Sequence, residues 1–286
     1  ITREEDAVSH LLVANTHDNI LFFTNRGRVF ITKVHALPEA SRHAKGLPIV
    51  NLPGVQVENG EYVSAIISLP RLEPDHYLVM ATRKGKIKKT SLAEYAKIKA
   101  NGLIAINLVG DDELRWVDLS DGTNDVIIAT RSGQAARFTE DEVRPMGRDT
   151  MGVTGIRLRK DDEVIGMQVV REPSQQLLVV TEQGYGKRTV VTDFPVKHRA
   201  TGGVIANSLN PETGAVAAVR LVGRDDEEVM LITEEGTMLR TQVAGVNSYR
   251  RASRGVTVMK PAEGDRIVSI AVFVDEGMPE DAEGEE

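Results

Sequence analysis

The sequence predicts an all-β repeat protein of the propeller or array type. Three observations support this prediction: a hairpin signature occurs five times, its copies are evenly spaced, and two further signatures recur with the same period. The turn glycines of successive copies are 58, 48, 51 and 52 residues apart. A fixed period near fifty residues is typical of propellers, in which each repeat forms one sheet.

The first signature is a run of four apolar residues, a threonine, two polar residues and a glycine. The run predicts a buried strand, and the glycine predicts a tight hairpin turn because it adopts left-handed backbone angles without a steric penalty. The threonine stands three residues before the glycine in every copy, so its hydroxyl is predicted to satisfy a local backbone group. The copies are ILFFTNRG, LVMATRKG, VIIATRSG, LLVVTEQG and VMLITEEG, ending at Gly27, Gly85, Gly133, Gly184 and Gly236.

Two more strand signatures complete each repeat. One begins 17 to 19 residues after the turn glycine and reads GLPIVNL, GLIAINL, GVTGIRL, GVIANSL and GVTVMKP, starting at Gly46, Gly102, Gly152, Gly203 and Gly255. The other follows an acidic cluster in most repeats and reads YVSAIISL, ELRWVDL, EVIGMQVV, AVAAVRLV and RIVSIAVF, starting at Tyr62, Glu113, Glu163, Ala215 and Arg266.

A single array is predicted for residues 1–274, followed by an acidic, disordered tail at 275–286. The tail holds seven acids and no base, and without it the chain has 35 acids and 35 bases. A sixth copy of the last strand signature, AVSHLLVA at 7–14, has no hairpin before it. The sequence therefore predicts about five complete blades and a partial first blade, and we expect the chain to begin inside its first repeat.

The composition argues against several classes of protein. Cysteine is absent, which excludes disulfides and thiolate metal sites and is typical of a reducing cytoplasm. No apolar run approaches the length of a membrane span, and the opening ITREEDAV lacks the pattern of a signal peptide. We expect a cytoplasmic protein with no membrane partner.

Basic and acidic residues are sorted within the repeat. The five windows between a hairpin turn and the next glycine motif hold 24 of the 35 lysines and arginines but only 10 of the 42 acids. A repeat fold converts this sequence period into a spatial one, which predicts a basic band suited to a polyanion. The alternative is that hairpin turns carry charge only because they are solvated.

The sequence shows no pattern of catalytic residues or metal ligands. The six histidines lack metal-ligand spacing, and no nucleophile recurs beside a base near a glycine turn. The acidic run Asp225–Glu228 is interpreted as a solvated loop, and Gly184–Thr189 as a hairpin turn because its spacing does not match a phosphate loop. We therefore predict no catalytic residue, no metal and no cofactor.

Together, the signatures resemble the C-terminal domain of the DNA gyrase A protein. The matching features are the Thr-x-x-Gly hairpins, the basic residue four positions after the glycine in four repeats, and the Gly-Leu/Val-x-x-x-x-Leu segments. The resemblance covers residues 1 to about 274 and implies a six-bladed β-pinwheel, a relative of the propeller whose blades exchange strands with their neighbours. The family's gyrase A box, Gln-Arg-Arg-Gly-Gly-Lys/Arg-Gly, has only a degenerate form at 249–255, and we expect the box itself upstream of this sequence.

The resemblance implies a non-catalytic module that binds duplex DNA and bends or wraps it around an outer rim, supporting ATP-dependent negative supercoiling by gyrase. The implied partners are double-stranded DNA and, in an A2B2 holoenzyme, the remainder of the gyrase A protein and the gyrase B protein, which carry the catalytic tyrosine and the ATP site. The recurring bases are predicted to contact phosphates without strong sequence preference. They are Arg28, Lys45, Lys86, Lys88, Lys89, Lys97, Lys99, Arg137, Arg148, Lys187, Arg188, Lys197, Arg199, Arg240, Arg250, Arg251 and Arg254.

Two alternative functions remain open on the sequence alone. The equivalent domain of the topoisomerase IV A protein has fewer or more degenerate blades, so five good repeats favour gyrase. A protein-interaction propeller would make the basic sorting incidental, but the chain lacks the Trp-Asp blade endings of the commonest such family.

Overall fold

Each repeat forms an antiparallel sheet, and the described residues contain five such sheets. The computed structural model describes residues 14–39, 47–98, 102–223 and 227–274. The first ten strands are β1 (Asn19–Thr24), β2 (Arg28–Lys33), β3 (Val63–Leu69), β4 (Tyr77–Thr82), β5 (Lys86–Ser91), β6 (Leu103–Ile104), β7 (Leu114–Ser120), β8 (Asp125–Thr130), β9 (Gln134–Thr139) and β10 (Val153–Thr154). The others are β11 (Val164–Val170), β12 (Gln176–Thr181), β13 (Tyr185–Val190), β14 (Val204–Ile205), β15 (Val216–Val222), β16 (Glu227–Thr233), β17 (Met238–Gln242), β18 (Val256–Thr257) and β19 (Ile267–Val274).

Short 3-10 turns are the only helical elements among the described residues. Five of them directly follow the second strand of a hairpin, and the sixth lies in the loop before β3. They lie at Val34–Ala36, Ile49–Asn51, Leu92–Tyr95, Glu140–Glu142, Val191–Asp193 and Val243–Gly245.

The first four blades combine strands from two successive repeats. In the first blade, whose order is β3-β1-β2-β6, the hairpin β1–β2 and the inner strand β3 come from one repeat and the outer strand β6 comes from the next. The next three blades repeat this arrangement with the orders β10-β5-β4-β7, β11-β8-β9-β14 and β15-β12-β13-β18. Blades that exchange strands with their neighbours are what the family resemblance implies.

The fifth blade, β17-β16-β19, has three strands among the described residues. In each of the other four blades the outer strand comes from the following repeat. The prediction of an all-β pinwheel with five blades is confirmed. Where the sequence predicts about five complete blades, four have four strands and the last has three within the described ranges. Both the sixth strand signature at 7–14, apart from Ala14, and the acidic tail at 275–286 lie outside the described residues.

The apolar core lies between the blades. The inner strands of successive blades pack side by side, in the order β3, β7, β11, β15 and β19. The first hairpin strands β1, β4, β8 and β12 are each buried at five consecutive positions. Continuous rather than alternating burial is expected because neighbouring blades cover both faces of each sheet.

The hairpin turns are built as their signature predicts. The five turn glycines have left-handed φ angles between 77° and 84°. Every signature threonine is buried, and its hydroxyl accepts a hydrogen bond of 3.1–3.3 Å from the backbone N–H four residues later. The predicted shared role of the threonines is therefore confirmed. They are Thr24, Thr82, Thr130, Thr181 and Thr233.

Candidate nucleic-acid interface

Three loops cross the outer edge of the blades and carry many of the predicted site residues. We call them rim loops and define them as residues 144–151, 195–202 and 247–254, leading into the outer strands β10, β14 and β18. Each rim loop is fixed by a backbone hydrogen bond of 2.8–2.9 Å to the hairpin of the blade whose outer strand it enters. The donor and acceptor pairs are Met146 N with Lys89 O, Lys197 N with Arg137 O, and Tyr249 N with Arg188 O.

The recurring base four positions after the turn glycine points into the next blade in three repeats. Its side chain donates to a carbonyl in, or directly after, the 3-10 turn that follows the next hairpin, which joins one blade to another. Lys89 is 3% exposed and the Arg137 side chain 10%, so these cations stabilise blade contacts. The bonds run from Lys89 Nζ to Glu140 O (3.0 Å), Arg137 Nη1 to Val191 O (2.7 Å) and Arg188 Nε to Val246 O (2.5 Å).

Two predicted contact residues, Lys88 and Lys187, are completely buried beneath rim loops. The Lys88 ammonium donates to the carbonyls of Ala105, at 2.6 Å, and Arg148. Burial lowers the pKa of both lysines to about 8. The carbonyls that accept from Lys187 Nζ belong to Arg250 (3.0 Å), Arg251 (2.5 Å) and Ser253 (2.7 Å).

The structure corrects the prediction of phosphate contact for Lys88, Lys89 and Lys187. Alternation along β5 does place Lys86 and Lys88 on one face, but the loop 144–151 covers that face at Lys88 and leaves Lys86 half-buried. Lys88 and Lys187 have no exposed surface and Lys89 is 3% exposed. All three ammonium groups already donate to carbonyls, so a phosphate cannot reach them.

An arginine four positions before the motif glycine links each rim loop to the outer strand of the preceding blade. In each case Nη1 donates to the carbonyl of the second residue of that strand. Successive bonds of this kind connect β6, β10, β14 and β18. The pairs are Arg148 with Ile104 (3.2 Å), Arg199 with Thr154 (3.0 Å) and Arg251 with Ile205 (3.0 Å).

The rim also carries exposed cations, which are Lys97, Lys197, Arg250 and Arg254. The side chain of Arg250 is 89% exposed and lies 3.3 Å from Asp193, and that of Arg254 lies 3.4 Å from Glu212. Arg144, which the sequence interpretation did not select, is exposed on the first rim loop as well. Its signal was available, since it lies in the same basic window as Arg148.

Basic residues at the hairpin turns are paired with carboxylates instead. Arginines and acids from the hairpin turns and from the segments that enter the inner strands alternate across the blades, so this face carries a chain of ion pairs. Arg83, Arg131, Glu182 and Glu234 lie in turns, and Glu113, Glu163 and Arg266 precede inner strands. The links are Arg83–Glu113 (4.0 Å), Arg83–Glu163 (3.7 Å), Arg131–Glu163 (3.7 Å), Arg131–Glu182 (2.5 Å), Arg266–Glu182 (3.7 Å) and Arg266–Glu234 (2.9 Å).

Four of the predicted phosphate-contact residues lie neither on the rim loops nor beneath them in the described structure. Arg28 is engaged by acids, with Nε 3.0 Å from Glu61 and Nη1 3.3 Å from Glu58. Arg240 is exposed and paired with Glu228. Lys45 and Lys99 lie outside the described residues.

The described residues include one group with the spacing of a metal site. Glu73, Asp75 and His76 bring ligand atoms within 4.8 Å of one another, but both acids are exposed and the His76 ring already pairs with them at 3.5 Å. The segment 184–189 forms the turn and second strand of a hairpin, as predicted, and not a phosphate loop. None of the helical turns in the described ranges has the length and apolar character needed to cross a bilayer.

Strand-exchanged blades with a basic rim define a β-propeller protein of the pinwheel kind. The chain belongs to the family described as DNA gyrase C-terminal domain, beta-propeller, which matches residues 18–70, 76–121, 124–171, 175–222 and 227–273. Each of the five matches corresponds to one repeat.

Curated relatives are DNA gyrase A proteins from bacteria. That of Buchnera aphidicola subsp. Baizongia pistaciae is 42% identical over 269 residues, which cover 94% of this chain and 31% of the relative. That of Staphylococcus aureus strain MRSA252 is 40% identical over 287 residues, covering 100% of this chain and 32% of the relative. The chain thus spans about a third of the length of the curated relatives it matches.

Two solved structures have the same fold. The C-terminal domain of DNA topoisomerase IV superposes with a TM-score of 0.82 at 28% identity, over 91% of this chain and 80% of the other. A DNA gyrase A C-terminal domain superposes with a TM-score of 0.78 at 26% identity, over 91% and 84%.

Proposed function

We propose that this chain is a non-catalytic module of a gyrase A protein that binds duplex DNA along its rim and bends or wraps it. The distribution of charge carries the proposal. Each rim loop carries at least one exposed cation, and Arg250 and Arg254 each have a single carboxylate nearby, whereas the hairpin-turn arginines Arg83 and Arg131 each contact more than one carboxylate. Family membership supports the same function.

The rim cations suit contacts to the phosphate backbone rather than to bases. They recur by blade and, with few aromatic residues among them, offer little for base stacking. Bending a site of 20–30 base pairs by 40–90° costs roughly 1–6 kcal/mol, so a longer wrap requires several blades to bind together. The rim loops repeat in three successive blades and would provide such a series of contacts.

The remainder of the proposed system lies outside this chain. The rest of the gyrase A protein and the gyrase B protein would supply DNA cleavage and ATP hydrolysis in an A2B2 assembly in the bacterial cytoplasm. Within that assembly, wrapping at the rim would give strand passage the direction that negative supercoiling needs.

The test is the salt dependence of DNA binding. If about six phosphates are neutralised, log K should fall against log salt with a slope near −5. Replacing Lys197, Arg250 and Arg254 together by alanine should weaken binding to all duplex sequences alike and flatten the slope by up to about three. Lys84→Ala is a single-charge control, since this lysine is exposed at a hairpin turn outside the rim loops and should leave the slope unchanged.

Unchanged affinity and slope in a folded triple variant would contradict DNA binding at the rim and favour a protein-interaction propeller.

The C-terminal domain of the topoisomerase IV A protein is the alternative that is most similar in fold and function to the proposal. The solved topoisomerase IV domain superposes about as well as that of gyrase, but the relatives that match at 40–42% identity are gyrase A proteins. The sequence comparison therefore favours gyrase.

A further inference from the structure

Two rim-loop arginines are hydrogen-bonded through both the backbone carbonyl and the side-chain guanidinium. The backbone carbonyl of Arg148 accepts from buried Lys88, while its guanidinium donates to Ile104 O at 3.2 Å. The carbonyl of Arg251 accepts from buried Lys187 at 2.5 Å, while its guanidinium donates to Ile205 O at 3.0 Å. The lysine therefore fixes the loop from beneath and the arginine fixes it along the rim.

Lys187 holds the longer stretch of loop. Its ammonium donates to three carbonyls, those of Arg250, Arg251 and Ser253, which satisfies its three N–H bonds. Hydrogen bonds to a charged donor are stronger than neutral ones, and removing the donor would leave these carbonyls without their buried partner. The nearest charged groups are Arg251, which opposes the ammonium, and Asp193, which favours it.

Lys88 occupies the corresponding site two blades earlier in the chain. Its ammonium donates to a carbonyl of the loop 144–151 and to Ala105 O, just after the outer strand β6. The charged groups around it are Asp149, Arg148 and Glu94. It therefore joins a rim loop to the neighbouring outer strand.

The intervening blade lacks this device. Ala136 stands three positions after the turn glycine, where the other two blades have lysine, and no ammonium lies under the loop 195–202 in the described structure. In that loop the guanidinium of Arg199 donates to Thr154 O and, through Nε, to Glu142 O at 3.0 Å. The molecule thus contains loops with and without a buried lysine.

We propose that Lys88 and Lys187 are positioning residues of the rim, each holding the backbone of a rim loop so that its arginines are presented to the phosphates of duplex DNA. The inference rests on the proposed function for its ligand. The positioning itself is a property of the protein alone, and it can be measured without DNA.

Trypsin cleavage of the 286-residue chain tests the positioning. In Lys187→Met, cleavage after Arg250, Arg251 and Arg254 should be about tenfold faster than in wild type, because local opening exposes the loop, while cleavage after Arg148 stays unchanged. Lys88→Met should show the reverse pattern. Mass spectrometry of early digests identifies the sites, and each variant serves as the control for the other.

Unchanged cleavage in both variants would overturn the proposal, as would equal acceleration at both loops, which would show that the lysines support the whole fold. If Lys187→Met fails to fold, Lys187→Gln retains an amide donor and should accelerate cleavage about threefold at the same loop only. Acceleration confined to that loop supports the proposal.

DNA binding provides the second readout. Lys187→Met should flatten the salt slope by up to about two, although it removes no exposed charge, because displaced arginines no longer meet phosphates. An unchanged slope would overturn the role in DNA binding. A wild-type protein that fails to bind DNA would refute the proposed function, while the trypsin result would still decide whether the lysines position the loops.

Discussion

The hydroxyl of Thr82 donates a hydrogen bond of 2.6 Å to the carboxylate of Asp112 and accepts one of 3.1 Å from the backbone N–H of Lys86. One side chain therefore ties the hairpin turn to the segment that enters the inner strand β7. Thr24 makes the same connection to Glu61 at 2.5 Å. The signature threonine thus stabilises the junction between two strands as well as the turn.

Thr82→Val should lower the free energy of unfolding by roughly 1–2 kcal/mol, because valine keeps the packing but removes both hydrogen bonds. Urea denaturation measures the loss. Thr181→Val is the matched control: its hydroxyl accepts from Tyr185 N but has no carboxylate partner within the described ranges, so the loss should be smaller. Equal losses at the two positions would show that the carboxylate contact contributes nothing.

Adjacent glycines provide a second comparison. Gly203 has a φ of 76° and a β-carbon there would lie 2.6 Å from Ala135 O, whereas one at Gly202 meets nothing within 4 Å. Gly203→Ala should destabilise the fold by about 1–2 kcal/mol or more, and Gly202→Ala should be close to neutral. Thermal melts of both variants decide this, and similar melting temperatures would contradict the close approach of the backbones.

The buried lysines predict a dependence of stability on pH. Burial lowers the pKa of Lys88 from 10.5 to about 8, so between these values the folded state binds fewer protons than the unfolded state. Stability from this group therefore rises with pH across that window. The free energy of unfolding of wild type minus that of Lys88→Met should increase by roughly 1–2 kcal/mol between about pH 7.5 and pH 9.5.

Urea titrations at the two pH values measure this difference, and Lys187→Met should give the same sign. A difference that stays constant as the pH rises would mean that the lysines keep their protons throughout the range.

Ion pairs on the hairpin-turn face should contribute to stability only at low salt. Glu163 lies 3.7 Å from both Arg83 and Arg131 and its side chain is about one-third exposed. Glu163→Gln should therefore cost at most about 1 kcal/mol at low ionic strength, and screening should remove the effect near 1 M salt. Denaturation in both salts is the measurement, and a loss that persists at high salt would indicate a packing role instead.

The fold was predictable because its signals are local. Apolar runs, threonines and turn glycines specify each hairpin within one octet, and their period gives the number of blades. The exposure of the cations was less predictable, because it depends on which loops pack over each strand in the tertiary structure. Alternation alone treats Lys86 and Lys88 alike, and only the rim loop above β5 separates them.

The basic residues that recur in the sequence repeat have two different structural roles. The base four positions after the turn glycine links one blade to the next in three repeats, as Arg137 does with Val191. The exposed bases of the rim loops, such as Arg250, recur less regularly in sequence. A periodic charge pattern therefore marks packing as readily as binding, and side-chain exposure is needed to tell them apart.

Strand exchange makes the repeat in the sequence differ from the blade in space. Each of the first four blades takes its outer strand from the following repeat, so no contiguous segment of about fifty residues contains a whole blade. If one whole repeat is lost or duplicated, every interior hairpin still has an outer strand to pair with, because the next repeat along the chain supplies that strand. Such a gene can change its number of blades by whole-repeat recombination, while a recombination that cuts out the strands of one spatial blade would damage two.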